Sequence, residues 1–271
     1  MPSAPRESGG SNVGSLDGQV ACITGGTRGI GRAIAEAFVR EGASVVISGR
    51  SVDKGAEAIA EMNAGVHAHF VAGDVKTREA CDALIDETIA KYGRLDILVA
   101  NAGGSSGAAP VASMTDEAMA DAMTWCFWHT FWTMRKALQT MIPQGSGRIM
   151  AVSSVEGKAG KPAVSHYVAA KHAIHGLVKS ASKEVGTMGI TINALCPGAI
   201  ETDTMRIEGP PAAKAMGMTY QGLLDWFASE SAIKRLNEVT EVAEVAVLLA
   251  SEAGAGITGS LISIDGGTSP Y

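Results

Sequence analysis

The sequence of 271 residues contains few aromatic and few charged side chains. Asp, Glu, Lys and Arg make up 18% of it and hydrophobic residues 46%, a balance that excludes intrinsic disorder and is sufficient for a sizeable core. The 28 acidic residues outnumber the 22 basic ones, which gives a formal net charge of −6. Because such a chain is poorly suited to bind polyanions, we expect neither nucleic acid nor a membrane surface as a partner.

Paired cysteines and long apolar runs are also lacking. The four cysteines are widely spaced and form no C-x-x-C pair: Cys22, Cys81, Cys126 and Cys196. With no secretory signal pattern at the start, we expect a reducing, cytoplasmic compartment. No apolar stretch approaches the roughly 18 residues of a membrane span. His67 and His69 share a face of one apolar run but have no third ligand, so no metal site is expected.

Glycine, in contrast, is abundant, with 33 residues and no repeat period. Between the glycines, short apolar runs alternate with helical patterns. Strand-length runs lie at 19–24, 44–48, 66–72, 95–100, 148–153, 191–195 and 261–264, and helical patterns at 29–40, 53–62, 77–92, 115–141, 165–185 and 241–250. This alternation predicts an α/β fold, a Rossmann-type, doubly wound parallel sheet of about seven strands with helices on both faces.

The domain organisation follows from the same pattern. Residues 1–15 are rich in Ser, Gly and Pro and are typical of a flexible lead-in, and 16–271 are expected to form one domain. The segment 202–235 is longer than an ordinary connection and contains Pro210 and Pro211. Insertions of this length are often substrate lids, and an extra helix packed on the core is an equally good interpretation.

A glycine-rich turn follows the first strand and opens the first helix. Gly25 would permit the tight turn, Gly29 the approach of a pyrophosphate, and Gly31 close packing of helix on strand. The phosphates would lie at the helix N-terminus, where unpaired N–H groups and the dipole favour anions. A strand before the motif and a helix after it are the context that indicates dinucleotide binding.

The spacing T-G-x-x-x-G-x-G resembles the short-chain dehydrogenase/reductase family. Further motifs in family order are Asp74 after the third strand, Asn101-Ala102-Gly103 after the fourth, a Ser and Tyr-x-x-x-Lys set, and Pro197-Gly198 after the sixth. Residues 167–172 match the wording of 3-oxoacyl-carrier-protein reductases and 3-hydroxybutyrate dehydrogenases. The resemblance covers 16–267 and implies these cofactor-binding residues: Gly25, Thr27, Arg28, Gly29, Ile30, Gly31, Arg50, Asp74, Val75, Asn101, Ala102, Gly103, Tyr167, Lys171, Pro197, Gly198, Ile200 and Thr202.

The end of the second strand bears on the choice of nicotinamide. Where NAD-binding relatives carry Asp, this sequence has Gly49, followed by Arg50. Arg28 lies within the glycine turn, where NADP-binding relatives often carry a basic residue. Two guanidinium groups can hold a 2′-phosphate and no carboxylate repels it, so we expect NADP rather than NAD.

The resemblance assigns catalysis to Ser154, Tyr167 and Lys171. Tyr167 and Lys171 are four apart in a helical pattern and share a face, and Ser154 precedes Tyr167 at the family spacing. Ketone reduction needs an acid, and a phenol near pKa 10 is poorly matched to neutral pH. We expect the Lys171 ammonium to lower the pKa of Tyr167 and to bind ribose hydroxyls, and Ser154 to orient the substrate oxygen. Glu156, two residues on, would line the pocket mouth or simply be solvated.

One position departs from the family pattern. Relatives carry Asn on the long helix, where it holds a proton-relay water, and registration on Phe131 places Cys126 there. A thiol is a weaker hydrogen-bonding group than an amide. Either the relay runs without it, His129 contributes, or turnover is slow.

The same helix contains five of the 13 aromatic residues: Trp125, Phe127, Trp128, Phe131 and Trp132. A helix that is apolar on more than one face is buried or paired with another subunit. Because relatives dimerise through this helix, we expect a homodimer or homotetramer.

We therefore interpret the sequence as an NADP(H)-dependent oxidoreductase that interconverts a secondary alcohol and a ketone, with Tyr167 as the acid or base. One alternative is an NAD-dependent dehydrogenase of a hydroxy acid or a cyclic alcohol. An alternative of another class, motivated by Cys126, is an NADP-binding regulatory protein with little turnover.

Overall fold

The computed structural model describes residues 14–104 and 107–269. Of the predicted lead-in, residues 1–13 lie outside these ranges. The described strands are β1 Val20–Ile23, β2 Ser44–Gly49, β3 Ala68–Ala72, β4 Ile97–Ala100, β5 Gly147–Val152, β6 Ile190–Pro197 and β7 Leu261–Ile264. The described α-helices are α1 Gly29–Arg40, α2 Val52–Met62, α3 Arg78–Tyr92, α4 Asp116–Ala122, α5 His129–Gln144, α6 Ser165–Val185, α7 Asp203–Ala215, α8 Tyr220–Glu230 and α9 Val239–Ala250.

In the described ranges, the seven strands form one parallel sheet in the order β3-β2-β1-β4-β5-β6-β7. The predicted doubly wound fold is therefore confirmed. The strand order reverses between β1 and β4, since the chain leaves β1 toward β2 and β3 and then returns to the other side of β1. In such sheets the loops at the carboxyl ends of the two central strands diverge and leave a crevice.

Two hydrophobic clusters cover the faces of this sheet. On one face, α1 and α9 pack side by side and bury Ile34, Phe38 and Leu249. On the other, α3, α5 and α6 bury residues that include Leu84 and Met134. No helix among the described residues is both long and apolar enough to cross a membrane.

The helix predicted over 115–141 is not a regular α-helix. Between α4 and α5 lies a π-helical stretch, Met123–Trp128, in which the backbone N–H of His129 reaches back five residues to the carbonyl of Thr124. Because a π turn holds an additional residue, the side chains after it rotate around the helix axis. Cys126 is consequently buried, while Trp125 faces the crevice.

The segment 202–235 contains two helices, α7 and α8, which pack against each other. Thr202 caps α7 by accepting a hydrogen bond from the Met205 N–H at 3.4 Å. The Tyr220 hydroxyl at the start of α8 donates to Glu201 Oε1 at 3.0 Å, which ties the second helix to the residue before the cap. The segment is thus an ordered helical hairpin.

Helix α1 approaches the β4 loop at Gly31. A Cβ atom at this position would lie 2.4 Å from Asn101 Nδ2 and 2.6 Å from the Gly25 carbonyl oxygen. Overpacking of this kind costs about 1–3 kcal/mol. Gly31→Ala is therefore expected to lower the free energy of unfolding by about that amount, as measured by urea denaturation.

Gly256→Ala is the matched control, because no heavy atom lies within 4 Å of a Cβ atom there. Its free energy of unfolding should stay close to that of the parent. Equal stability of the two variants would contradict the close approach at Gly31.

Candidate active site

The crevice at the carboxyl ends of the strands contains a cavity of about 860 Å³. Its walls come from the residues that follow β1, β2, β3, β4, β5 and β6, together with α7 and α8. Every residue predicted from the sequence to bind cofactor lines it, with the exception of Gly31. Gly31 instead lies beneath the turn, where it allows α1 to pack on Asn101. The predicted residues, scattered over the sequence, are therefore brought to one cleft.

The loops after β1 and β4 are joined by hydrogen bonds. The Thr24 hydroxyl accepts from the backbone N–H groups of Asn101 and Ala102, both at 2.9 Å. In return, the Asn101 amide donates to the carbonyls of Thr24 at 2.8 Å and Gly25 at 3.1 Å. This reciprocal set fixes the glycine-rich turn, and the sequence analysis assigned no role to Thr24.

The N-terminus of α1 is suited to hold a phosphate. Gly25 and Gly29 have φ values of +65° and +57°, a conformation that only glycine adopts without strain. Arg28 is the N-cap residue but makes no side-chain cap hydrogen bond, and the first turn contains no acidic residue. The first N–H groups of the helix are therefore available to an anion. This part of the cleft fits the pyrophosphate of a dinucleotide.

The end of β2 completes this side of the cleft. Arg28, Arg50 and Lys54 line it together, and Lys54 was not singled out from the sequence. A Cβ atom at Gly49 would lie 2.9 Å from Thr27 Cγ2, so an acidic side chain at this position would force Thr27 to move. This end of the cleft is therefore basic, and Gly49 brings no carboxylate to it.

On the opposite side of the cleft lie Ser154, Tyr167 and Lys171. Ser154 follows β5 and begins the short turn Val155–Gly157, whereas the other two project from the first turns of α6. Lys171 is 3% exposed and its Nζ donates to the Val152 carbonyl at 2.8 Å. Its Nζ lies 5.4 Å from the centre of the Tyr167 ring. The hydrogen bond to β5 thus anchors the ammonium beside the phenol.

The pKa of Tyr167 is raised in this structure. Burial raises it well above the ordinary value of 10, and neighbouring Cys126 and Glu156 raise it further, while a hydrogen bond with Ser154 lowers it. Burial dominates because removing the phenol from water disfavours the phenolate, and the lowering of this pKa by Lys171 together with an oxidised nicotinamide stays a prediction. Further positive charge beside the ring is needed for Tyr167 to act as a base at neutral pH.

Cys126 lies close to Lys171, as the registration on Phe131 predicted. A Cβ atom on Gly103 would meet Lys171 Nζ at 3.3 Å and Cys126 Sγ at 3.4 Å. The thiol donates to the Gly104 carbonyl at 3.3 Å, so it closes onto the β4 loop.

His129 is directed away from this relay position. Its Nδ1 is hydrogen bonded to the Trp125 carbonyl at 2.7 Å, and its Nε2 is 3.4 Å from the Thr24 hydroxyl. Burial lowers its pKa to about 3, and nearby Lys171 contributes to the decrease. A neutral ring with both nitrogens engaged stabilises the loops, and the suggestion that it replaces the missing amide is not supported.

The loop after β5 is supported from below by His175. Its Nε2 is 2.8 Å from the Ser153 hydroxyl, and burial lowers the pKa of the ring to about 4. In the same loop, the Ser154 hydroxyl donates a hydrogen bond to Glu156 Oε2. Glu156 therefore lines the pocket next to Ser154, which decides between the two interpretations of this residue in favour of the pocket.

The helical hairpin of α7 and α8 forms the remaining wall. Met205, Glu208, Phe227 and Glu230 line the cleft, and sequence reasoning found the segment but not these side chains. Lys161 connects the β5 loop to it, with Nζ 3.6 Å from Glu156 Oε1 and 3.8 Å from Glu230 Oε2. Since helical periodicity cannot show which turn faces a distant loop, these contacts carried no signal in the sequence.

Comparison with known proteins agrees with this geometry. The family model for short chain dehydrogenases matches residues 19–210. A 3beta-hydroxysteroid dehydrogenase of Mediterraneibacter gnavus is 35% identical over 97% of this chain and 99% of its own length. A 3-oxoacyl-acyl-carrier-protein reductase of Haemophilus influenzae is 34% identical over 93% of this chain and 98% of its own.

A solved structure is similar throughout. The crystal structure of a variant of actinorhodin polyketide ketoreductase with NADPH matches with a TM-score of 0.89 and 30% sequence identity, over 93% of this chain and 98% of that chain. The chain therefore belongs to the short-chain dehydrogenase/reductase family, the oxidoreductases that act on hydroxyl or ketone substrates with a nicotinamide cofactor.

Proposed function

We propose that this protein is an NADP(H)-dependent oxidoreductase that interconverts a secondary alcohol and a ketone, with Tyr167 as the acid or base. The observation that carries the proposal is the convergence of Ser154, Tyr167 and Lys171 on the cleft that also contains the uncapped N-terminus of α1. A binding protein with little turnover needs the second feature but not the first. The geometry thus favours the enzyme over the regulatory alternative.

In the proposed reaction, Ser154, Tyr167 and Lys171 have different roles. Ser154 lies where it can hold the substrate oxygen, and Tyr167 transfers a proton to that oxygen during reduction or removes one during oxidation. Lys171, fixed by the Val152 carbonyl, stabilises the developing phenolate and can bind ribose hydroxyls. A nicotinamide bound in the cleft would supply or accept the hydride, and the positive charge of its oxidised form would favour the phenolate of Tyr167.

The setting proposed for this reaction is the cytoplasm. All four cysteines are free and buried, which suits a compartment that keeps thiols reduced.

Removal of the phenolic hydroxyl tests the proposed acid–base role. Tyr167→Phe should lower kcat by about 100-fold to 10,000-fold, the usual contribution of a positioned acid or base. Its affinity for NADPH should change little, because the ring and Lys171 remain. NADPH oxidation with a panel of ketones measures the first quantity, and fluorescence titration the second.

Tyr92→Phe is the matched control, since Tyr92 is the last residue of α3, donates its hydroxyl hydrogen to the Val66 carbonyl and does not line the cleft. It should keep its turnover. If Tyr167→Phe retains activity, or the parent transfers no hydride to any ketone, the proposed mechanism is wrong and the regulatory alternative is favoured.

The basic end of the cleft supports NADP over NAD. Arg28 and Arg50 are placed to bind a phosphate on the adenosine ribose. A hydrogen bond to a charged group contributes about 1.5–3 kcal/mol, so Arg28→Ala or Arg50→Ala should each lower kcat/KM for NADPH roughly 10-fold to 100-fold. The value for NADH should change much less.

Arg78→Ala serves as the control, because Arg78 pairs with Asp82 on α3 and does not line the cleft. A parent enzyme that prefers NADH, or equal losses with both cofactors, would contradict the assignment.

An aromatic face formed by the end of the π-helical stretch and the start of α5 supports an oligomer of this chain. Trp128 is 41% exposed and stacks on Trp132 with ring centres 6.1 Å apart, while Phe127 and Phe131 contact its edges. Ile142, farther along α5, is 43% exposed. Exposed aromatic clusters of this kind are common at the centres of subunit interfaces. We assign this face to contact between two copies.

A charged residue at the centre of this face should separate the copies. Trp128→Glu is expected to shift the protein from a dimer or tetramer to monomer in sedimentation velocity. Val66→Glu, at a position 77% exposed beside β3, should leave the assembly intact. A parent protein that sediments as a stable monomer would refute the interface.

A further inference from the structure

The two ends of the cleft carry opposite charge. The end formed by β1 and β2 is basic, whereas the end formed by the β5 loop, α7 and α8 contains four carboxylates: Glu156, Asp203, Glu208 and Glu230. In the sheet, β1 and β2 lie on one side of β4, and β5 and β6 on the other. The topology therefore keeps the two groups of charges apart. If the basic end holds the cofactor, as the proposed function requires, the acidic end faces the substrate.

Within the acidic end, Glu156 is the carboxylate in direct contact with the proposed catalytic residues. Its Oε2 accepts the hydrogen bond from the Ser154 hydroxyl, and its backbone N–H donates to Ser154 Oγ at 3.3 Å. The side chain is 19% exposed, so water screens it only in part. Any substrate whose oxygen is held by Ser154 must place its neighbouring substituents near this carboxylate.

Lys161 does not neutralise this end of the cleft. Its ammonium is shared between Glu156 at 3.6 Å and Glu230 at 3.8 Å, so one positive charge faces two negative ones. It also lies over the rings of Trp226 at 4.9 Å and Phe227 at 4.4 Å. Lys161 is thus held in place by the helical hairpin, and its single charge is already shared between two carboxylates before a substrate enters.

We propose that Glu156 is a specificity-determining residue that makes the cleft select neutral ketones and alcohols and reject those with a carboxylate close to the reacting carbon. The remaining walls suit such substrates, since Trp125, Val164, Met205 and Phe227 provide apolar surface. A like charge placed against Glu156 is disfavoured because the partly buried cleft screens it less than bulk water does. This proposal rests on the proposed ketone reductase activity and specifies its substrate class.

A matched pair of probes tests the selection. 3-Oxocyclohexanecarboxamide and 3-oxocyclohexanecarboxylate have the same ring, ketone and shape, carry the substituent on the near side of the ring and differ in charge. The parent enzyme should show a kcat/KM at least about tenfold higher for the carboxamide, given the cost of one like-charge contact. Glu156→Gln keeps an oxygen that accepts a hydrogen bond from Ser154 but loses the charge. In this variant, kcat/KM for the carboxamide should exceed that for the carboxylate by no more than about threefold.

Glu252→Gln is the control for net charge. Glu252 pairs with Arg148 and does not line the cleft, and its side chain is 89% exposed, so its variant should keep the parent's ratio. The parent enzyme also tests the charge effect without a mutation. Raising the ionic strength should lower the ratio of kcat/KM between carboxamide and carboxylate, because salt screens the repulsion. A ratio that Glu156→Gln leaves unchanged, or a parent enzyme that prefers the carboxylate, would overturn the proposal.

A binding measurement distinguishes failure of the proposed reductase activity from failure of the proposed charge selection. Quenching of tryptophan fluorescence by the two probes, with NADPH present, reports their affinities whether or not hydride is transferred. If neither probe is reduced but the carboxamide binds more tightly and Glu156→Gln removes the difference, the selection stands and the proposed function fails. If the probes are reduced with no charge preference, the selection fails and the function stands.

Discussion

The hydrogen bonds between Thr24 and Asn101 join the loops after β1 and β4, and the geometry of the rest of the cleft depends on this junction. They join the carboxyl ends of β1 and β4, where the strand order reverses and no neighbouring strand supports the loops. A buried hydroxyl accepts hydrogen bonds from two backbone N–H groups there, and an amide donates to two carbonyls. The glycine-rich turn is therefore rigid, and Gly31 beneath it lets α1 pack against Asn101. The N-terminus of α1 is aimed at the cleft as a consequence.

The side chains that line the cleft differ in charge on the two sides of this junction. The residues after β2 are basic and those after β5 and in the helical hairpin are acidic, and the order of the strands keeps them on opposite sides of β4. Tyr167 lies in the acidic half, where burial and Glu156 raise its pKa. The surroundings of Tyr167 therefore disfavour its phenolate form.

Much of the fold could be predicted from the chain because its signals are local. Alternation of apolar strands with helical patterns reflects the two side-chain periods, and a buried parallel sheet leaves continuous apolar runs such as that of β2. The π-helical stretch at Met123–Trp128 could not be predicted in this way, since its hydrogen bonds differ from those of an α-helix by one residue and leave the composition unchanged. The helical hairpin was recognised only by its length.

The sequence by itself determined the family, the sheet and the cleft residues of the glycine-rich turn and the Tyr-x-x-x-Lys set, because turn glycines and this spacing are requirements of local geometry. It did not determine which residues from distant elements meet at the cleft. Lys161 bridges Glu156 and Glu230, and His129 Nε2 lies beside the Thr24 hydroxyl, contacts that only the packed molecule creates. The sign of the pKa shift at Tyr167 was likewise decided by tertiary structure, since burial is a property of the packed molecule and outweighs any single neighbour.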